Sequence, residues 1–383
     1  MMKKTTFLFV LLALLGVSKY SEAQKTIVGS LIYHNKYKSP ITQANVQLID
    51  KSGTIIDETT VNDQGYYTFY NVENGDYSVH FSSDLVLKNF DMQDTYLLQR
   101  YLLGLCTLDE VQLIAADVNK DNSVDWKDYN FMLKNYYLQL MPFPAGKWGF
   151  LETQFSLTGV TNKGSVVDTI DPSTQGTTMG DLNGFWLPDD KKECYIQSTP
   201  GQNITALPGQ EFTIPVYPGS DLTTAGMALV LNINAQNTTV LDVESDFKNL
   251  HYSQNNGQLR ITWMSETLDN HQINNNTPLI YIKLKTNTIF ANETQMFTLS
   301  NETQFINKNG NIVEHSTLSI PTVTHKNIAF YSYPNPCYGN SHIIIKLQQE
   351  EQVEVTLWDN SGRKLKTLHN QSMEKGSHTL DFN

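Results

Sequence analysis

A twelve-residue stretch, DVNKDNSVDWKD at residues 117–128, constrains the fold of this chain more than any other feature. Side chains that carry oxygen recur at its first, third, fifth, ninth and last positions: Asp117, Asn119, Asp121, Asp125 and Asp128. Ca²⁺ binds six to eight oxygens, and a short loop supplies them only by offering one about every second residue. Ser123 would add a backbone carbonyl, and Asn122 would make the sharp turn before it, because Asn tolerates positive φ. The pattern predicts a calcium-binding loop; the alternative is a polar surface turn.

The oxygen spacing is that of an EF-hand loop, and part of the pattern occurs twice. Residues 90–94, FDMQD, align with residues 124–128, VDWKD, at an offset of 34, and Arg100 then matches Lys134. The first copy keeps only Asp91 and Asp94 of the ligand set.

A short segment further along the chain offers the missing ligands. In GDLNG, residues 180–184, Asp181 and Asn183 stand where the first and third residues of a calcium loop would be. We therefore predict a circularly permuted module in which Asp181 and Asn183 complete the site begun by Asp91 and Asp94. The alternative is an ordinary Gly-Asp-Asn turn.

Helical periodicity surrounds these loops. Leu97, Leu98, Tyr101 and Leu102 recur at helical spacing, as do Phe131, Met132 and Tyr136. Between them, TLDE at 107–110 is a capping box that predicts the start of a short helix.

The duplicated loop–helix unit, AADVNKDNSVDWKDYNFMLKNYYL at 115–138, resembles a type I dockerin. Dockerins are calcium-folded modules that bind cohesin domains, so the resemblance implies a protein partner. It also implies that partner recognition falls on loop positions 10 and 11 and on the next helix: Trp126, Lys127 and Lys134 in one copy, and Met92, Gln93 and Arg100 in the other. The alternative is ordinary exposed helix surface.

The N-terminus predicts secretion. Lys3 and Lys4 precede an apolar run over residues 7–17, and small residues stand before a cleavage site after Ala23. The run is too short to span a bilayer, and no other segment is apolar enough for a transmembrane helix. Millimolar calcium outside the cell would fill even a weak site.

Two long segments alternate as β-strands do. PITQANVQLIDKSG at 40–53 and TTVNDQGYYTFYNVENGDYSV at 59–79 resemble the carboxypeptidase-regulatory-like and Cna-B-like sandwiches. GMALVLNIN at 226–234 and VLDV at 240–243 resemble a cohesin-like sandwich. The predicted fold is mainly β, a multidomain string of β-sandwiches with a small α-helical, EF-hand-like (dockerin-like) insert.

The C-terminal segment begins YPNP at 333–336 and continues VEVTLWDNSGRKLKTL at 353–368. It resembles the type A sorting domain of the type IX secretion system, which implies that this secretion machinery is a partner. The final strands of the family pattern are absent, so we expect an incomplete domain. The predicted order is a signal peptide (1–23), a spacer sandwich (24–82), the dockerin-like module with a β-like excursion (83–190), the cohesin-like sandwich (195–325) and the sorting domain (331–383).

Composition and missing motifs exclude other classes. The net charge is −12, without a basic patch, so nucleic acid is not an expected partner. No zincin, nucleophile-elbow or P-loop motif occurs, and we expect no enzyme. Cys106, Cys194 and Cys337 are too few for a disulfide framework; we expect lone, mostly buried thiols, with a Cys194–Cys337 bridge as the alternative.

These features predict a secreted, non-catalytic, calcium-stabilised cell-surface protein that mediates protein–protein assembly. Its dockerin-like and cohesin-like parts would join in cis or in trans. The alternatives are a carbohydrate-binding or adhesive module, with Trp186, Tyr252 or Trp263 as its aromatic platform, and an accessory part of a polysaccharide-degrading system.

Overall fold

The computed structural model describes residues 25–87, 90–158, 169–170, 172–184, 196–206, 209–235, 237–286, 293–325, 330–347 and 349–382. The predicted signal peptide, Trp186 and Cys194 lie outside these residues. The chain divides into two compact units. Unit 1 comprises the described parts of Met1–Val86 and Phe150–Thr177, and unit 2 those of Leu87–Gly149 and Thr178–Asn383.

The predicted fold class is confirmed, because strands dominate and helices are few and short. The first strands are β1 (Lys25–Tyr33), β2 (Asn45–Asp50), β3 (Ile55–Thr60), β4 (Tyr66–Val72) and β5 (Gly75–Ser82). The helices follow: α1 (Met92–Leu102), α2 (Glu110–Ala116), α3 (Trp126–Asn130) and a π-helix (Phe131–Tyr136). Next come β6 (Trp148–Phe150), β7 (Thr153–Leu157), β8 (Thr169–Ile170) and β9 (Thr174–Thr178).

The remaining strands belong to unit 2. They are β10 (Ile196–Pro200), β11 (Ile204–Ala206), β12 (Glu211–Pro218), β13 (Leu222–Thr224), β14 (Gly226–Ile233), β15 (Thr238–Glu244), β16 (His251–Asn255), β17 (Gln258–Met264), β18 (His271–Ile273), β19 (Ile280–Thr286), β20 (Glu293–Thr294), β21 (Phe297–Leu299), β22 (Gln304–Ile306), β23 (Ser316–Ile320), β24 (Val323–His325), β25 (Phe330–Tyr333), β26 (Ser341–Leu347), β27 (Glu351–Trp358), β28 (Lys364–Met373) and β29 (Gly376–Phe382).

Unit 1 is a two-sheet sandwich. In one sheet β1 lies between antiparallel β4 and parallel β9, and the other has the order β3-β2-β5-β7. Alternate residues of β1 are buried, and the rings of Tyr67 and Phe81 meet edge to face at 5.5 Å between the sheets. The strands β7 and β9 come from the β-like excursion, so this part of the chain folds with the N-terminal strands.

Unit 2 contains the larger sandwich. One sheet has the order β10-β23-β12-β19-β15, and the other has the order β16-β17-β14-β21, with β22 also paired to β14. Alternating residues such as Leu229, Ile261 and Ile282 are fully buried between the sheets. The strands expected from the alternation at 212–216, 227–233, 259–263 and 280–284 are all present.

The C-terminal residues of unit 2 form two further small sheets. Strands β25, β26 and β29 make one, and the β27–β28 hairpin makes the other, around a core that includes Ile343 and Val355. The hairpin covers the VEVTLWDNSGRKLKTL segment, with Gly362 in its turn. Cys337 is exposed and free, which corrects the expectation of a buried or bridged thiol there, and Cys106 is a free, half-buried thiol.

The helix starts explain the sequence repeat. Asp91 caps α1 and Asp125 caps α3 in the same extended conformation, and each forms a reciprocal capping box with the Asp three residues later. The cap of α2 is Asp109, which exchanges bonds with Gln112, so the expected cap at Thr107 is wrong by two residues.

Candidate metal centre and the surface that holds it

The Asp117–Asp128 loop joins α2 to α3 and makes the turn that its sequence predicts. Asn122 has φ of 64° and Lys120 has φ of 62°. Asp117 fixes this turn, since its Oδ1 accepts from the backbone N–H of Asp121 at 3.1 Å and its Oδ2 from that of Asn122 at 2.9 Å. The backbone is therefore wound around the carboxylate at the first ligand position.

Asp128 closes the loop from its last position. Its Oδ1 accepts from the Asn119 N–H at 3.2 Å and its Oδ2 from the Asp125 N–H at 3.0 Å, and the side chain is buried. Burial raises the pKa of the Asp128 carboxyl, and these two N–H donors oppose that rise. The carboxylate at position 12 thus ties the third and ninth positions of the loop together.

A lysine stands among the remaining ligand candidates. Lys127 Nζ lies 3.0 Å from Asp121 Oδ2 and 3.5 Å from Asp125 Oδ2. Hydrogen bonding to Asp121, together with the charges of Asp121 and Asp125, raises the pKa of the lysine. A cation at this loop would therefore compete with the Lys127 ammonium for two carboxylates.

The second candidate centre gathers residues that are far apart in sequence. Asp94 Oδ1 accepts from the backbone N–H groups of Leu182 at 2.9 Å and Asn183 at 3.0 Å, and Asp94 Oδ2 accepts from the Asp91 N–H at 2.8 Å. The Asn183 side-chain amide lies 3.3 Å from Asp91 Oδ1. The structure brings together the four residues that the permutation hypothesis named, Asp91, Asp94, Asp181 and Asn183.

The two centres share one hydrogen-bond arrangement. In the first, the position-12 carboxylate of Asp128 accepts from the N–H of Asn119 at position 3 and of Asp125 at position 9. In the second, Asp94 accepts from Asn183 and Asp91. Asn183 therefore takes the place of Asn119, although it follows its helix in sequence instead of preceding it.

The second centre is the more buried. Asp91, Asp94 and Asp181 are each less than 5% exposed. Burial, and then the charges of Asp91 and Asp181, raises the pKa of Asp94 well above its ordinary value. Three carboxylates in so little water repel one another unless a cation or protons offset their charge.

The donor chemistry of both centres suits Ca²⁺, which prefers carboxylate, amide and carbonyl oxygens. Within the described residues, no three His, Cys, Asp or Glu side chains converge as a ready metal cluster. A cation held here would use amide and backbone oxygens as well as carboxylates. The buried hydroxyl of Tyr137 has no hydrogen-bond partner in the described part of the chain. Burial raises its pKa, and the charges of Asp91 and Asp94 raise it further.

Helix α1 leads directly from the second centre onto the large sandwich. The Met92 N–H donates to Gln304 Oε1 at 3.2 Å, Gln93 Nε2 donates to the Gly310 carbonyl at 2.7 Å, and Gln99 Nε2 donates to the Ser265 carbonyl at 2.9 Å. An apolar core runs through the same interface and includes Met92, Tyr96, Met132, Leu133, Ala228, Met264 and Ile306.

The sandwich also caps the end of the third helical segment. Carbonyls at its C-terminal end accept from Thr262 Oγ1 (Leu133, 3.1 Å), Arg260 Nη1 (Tyr137, 3.2 Å), Ser253 Oγ (Leu138, 2.6 Å) and Asn255 Nδ2 (Gln139, 2.9 Å). The last carbonyls of a helix lack partners inside the helix, and a cation is favourable there. Side chains of β16 and β17 supply the hydrogen-bond donors, and Arg260 supplies the positive charge.

This cover explains why β14 and β17 are buried on both faces. Leu229 and Ile261 point into the sandwich core, whereas Ala228 and Thr262 lie under the helices. The alternating pattern of the sequence predicted only one buried face. Together the helices and this sheet face form the helix–sandwich interface.

The expected partner residues divide into two groups. Met92 and Gln93 are taken up by the helix–sandwich interface, and Arg100 lies near the Tyr96 ring at its edge. Trp126 is 44% exposed, and Lys127 is exposed beside the loop carboxylates. Burial lowers the pKa of the His251 imidazole on β16, and the charge of Lys134 on the π-helix lowers it further.

Comparison with known proteins gives similarities of family and fold. The family model of the SdrD B-like domain matches residues 33–94, which include β2 to β5. No curated protein matches. None of the helices in the part of the chain that the structure describes has the length and apolarity of a membrane span.

Several solved structures resemble the chain. A non-cellulosomal cohesin from Archaeoglobus fulgidus is 18% identical, with a TM-score of 0.27, over 33% of this chain and 88% of its own. The sixth cohesin of Acetivibrio cellulolyticus scaffoldin B, solved with a Cel5 dockerin, is 10% identical, with a TM-score of 0.28, over 33% of this chain and 95% of its own. BcpA, the major pilin subunit of Bacillus cereus, is 10% identical, with a TM-score of 0.27, over 94% of this chain and 96% of its own.

Proposed function

We propose that this chain is a secreted, non-catalytic cell-surface protein in which calcium orders a dockerin-like helical module that is held in cis by its own cohesin-like sandwich. The observation that carries the proposal is the capping of the helix end by Arg260, Thr262 and their neighbours on the sandwich. These bonds run from the sheet face of one part to the helix carbonyls of the other. They are the contacts of a recognition surface used within one molecule.

Calcium at the second centre would act on the interface through α1. Asp91 and Asp94 are the N-cap and N3 residues of that helix, and the next residues, Met92 and Gln93, bond to the sandwich. Bound Ca²⁺ would supply the positive charge that three buried carboxylates need. Holding Asp91 and Asp94 in place fixes the first turn of α1, and the first turn carries the bonds to Gln304 and Gly310. The free energy of metal binding thereby stabilises the helix–sandwich interface.

The first centre would order the other end of the module. The Asp117–Asp128 loop ends where α3 begins, and α3 continues into the π-helix that the sandwich caps. Asp117, Asn119, Asp121, Asp125 and Asp128 would hold the ion, with Ser123 giving its carbonyl. Both candidate centres therefore precede a helix of the interface.

Joining in cis is favoured over joining in trans. The two parts belong to one chain, so their effective concentration is high and a second molecule competes poorly for the same face. Trp126 and Lys127 remain exposed for a further protein partner. Secretion through the type IX machinery and exposure to extracellular calcium complete the proposal, and they rest on the sequence resemblances alone.

Light scattering and thermal melts of residues 24–383 with calcium and with a chelator test this function. We expect a monomer in both conditions and a higher melting temperature with calcium. An increase of the molar mass with calcium would show assembly in trans and contradict the cis arrangement. An unchanged melt would remove calcium from the proposal. The Asp359→Asn variant serves as the control, because Asp359 lies in the β27–β28 turn, and it should keep the calcium-dependent shift.

A further inference from the structure

The helix–sandwich interface leaves a cleft at one edge. It lies between the segment after the π-helix, residues 139–142, and the turn before β22, residues 301–304. Its volume is about 700 Å³, within the range of pockets for small molecules. None of the proposed calcium ligands lines the cleft, but Phe90 and Tyr137, which lie near the second centre, do.

One wall of this cleft is aromatic. Tyr136 is 38% exposed, and one face of its ring stacks on Phe143 at 4.4 Å with an interplanar angle of 17°. Phe90 meets Tyr136 edge to face at 4.7 Å. These contacts fix the tyrosine ring, and its exposed part lines the cleft.

The floor is polar and has no net charge. Arg260 is 3% exposed, and its guanidinium bonds Tyr137 O, Gln258 Oε1 and, at 2.6 Å, Glu302 Oε2. Because the two charges offset each other, this pair attracts neither an anion nor a cation strongly. An ionic ligand is therefore not what the cleft selects.

Uncommitted hydrogen-bonding groups remain beside the pair. Gln304 is 2% exposed and uses its Oε1 for the Met92 N–H, and among the described residues none accepts from its Nε2. Within the same residues, Glu302 Oε1 and the Asn301 amide likewise lack partners. A wholly apolar occupant would leave a donor and an acceptor without bonds, at about 1–3 kcal/mol for each buried group.

A ligand that fits has an apolar ring face and several groups that both donate and accept hydrogen bonds. A neutral sugar ring has both: its C–H face packs on an aromatic ring, and its hydroxyls bond amides and carboxylates. We infer that this cleft binds a neutral saccharide, which stacks on Tyr136 and bonds Glu302, Gln304 and Asn301. The cleft shares Arg260 and Gln304 with the helix–sandwich interface, and its opening adds a ligand site to that interface.

Of the three aromatic residues that the sequence offered for sugar binding, Trp186 lies outside the described residues, and the other two are less suited than Tyr136. Trp263 is 3% exposed, and its Nε1 donates to the Lys248 carbonyl at 3.0 Å. Tyr252 is 40% exposed on β16, and its hydroxyl bonds Asp242 at 2.8 Å. Tyr252 therefore provides a matched control for Tyr136, with similar exposure outside the cleft.

The test is calorimetric titration of residues 24–383, in saturating calcium, with cellohexaose, xylohexaose, mannohexaose and N-acetylchitohexaose. We expect at least one of these neutral sugars to bind. Tyr136→Ala should weaken that binding at least tenfold, and Tyr252→Ala should leave it unchanged. Asn301→Ala should weaken it severalfold, and because Asn301 is exposed and makes no side-chain bond to a described residue, this variant should fold normally.

Two results would overturn the inference. One is the absence of binding to all four sugars. The other is binding that persists in both Tyr136→Ala and Asn301→Ala. A circular dichroism spectrum and melt of each variant would show that the fold is retained.

Discussion

Replacing Gly310 by alanine tests the helix–sandwich interface at one atom. Gly310 has φ of +81°, and a Cβ there would lie 2.7 Å from Tyr96 Cε1 and 2.8 Å from Tyr96 Cδ1. The ring cannot easily withdraw, because Tyr96 is 5% exposed and its hydroxyl bonds the Lys308 carbonyl. Alanine would push α1 away from the sandwich.

Gly362 provides the matched control. It also has φ of +81°, and no atom lies within 4 Å of its would-be Cβ. Alanine at positive φ costs about 1–2 kcal/mol at either site. Overpacking adds about 1–3 kcal/mol at Gly310 alone. The difference between the two variants therefore isolates the contact with Tyr96.

Amide hydrogen exchange measures this difference locally, because separate parts of a multidomain chain need not unfold together. We expect the overpacking at Gly310→Ala to lower the protection of the α1 amides by about 5- to 150-fold, in addition to the effect of the backbone strain that both variants share. Gly362→Ala should affect only the β27–β28 hairpin. Unchanged α1 protection in Gly310→Ala would refute the packing of α1 on this turn.

Three further perturbations have defined outcomes. Lys127→Met should raise the calcium affinity of the Asp117–Asp128 loop by about two- to fivefold, because it removes a competing ammonium; an unchanged titration would exclude that competition. Arg260→Met should destabilise the helical module by about 2–4 kcal/mol in exchange experiments, since it leaves buried acceptors without donors, whereas Arg363→Met, at an exposed pair, should not. Burial and the charge of Lys134 lower the pKa of His251 below 6.5, so the stability contributed by the neutral imidazole is complete above pH 6.5 and is lost as the pH falls through the folded pKa. The melting temperature should therefore be lower at about pH 5.5 than at about pH 7.5, and His251→Gln should abolish that difference.

Local sequence rules predicted much of this fold. The repeat of Asp91 and Asp94 at Asp125 and Asp128 predicted a duplicated loop–helix unit. In the structure both pairs stand at helix starts, where each forms a capping box. Alternation predicted the core strands of the large sandwich. The approach of Asp181 to Asp94 was also predicted from a local pattern, because the Gly-Asp-Leu-Asn-Gly segment resembles the opening of a calcium loop.

Long-range features left weaker signals. The sequence predicted a β-like excursion within residues 83–190 but not its partners. In the structure β7 pairs with β5 and β9 with β1, and strand partners are set by packing over more than seventy residues. Thr262 and Arg260 read as outward-facing positions of an alternating strand. Their burial depends on the helices that pack over them, and the local sequence does not predict which distant segments pack there.

Calcium stoichiometry tests the central claim most directly. We would titrate residues 24–383 with Ca²⁺ by isothermal calorimetry, beside the variants Asp128→Asn and Asp94→Asn. The account predicts two ions for the parent chain and one for each variant, with Asp94→Asn also lowering the exchange protection of α1. One ion in the parent chain would contradict the permuted second centre, and no binding at all would contradict the calcium-ordered interface.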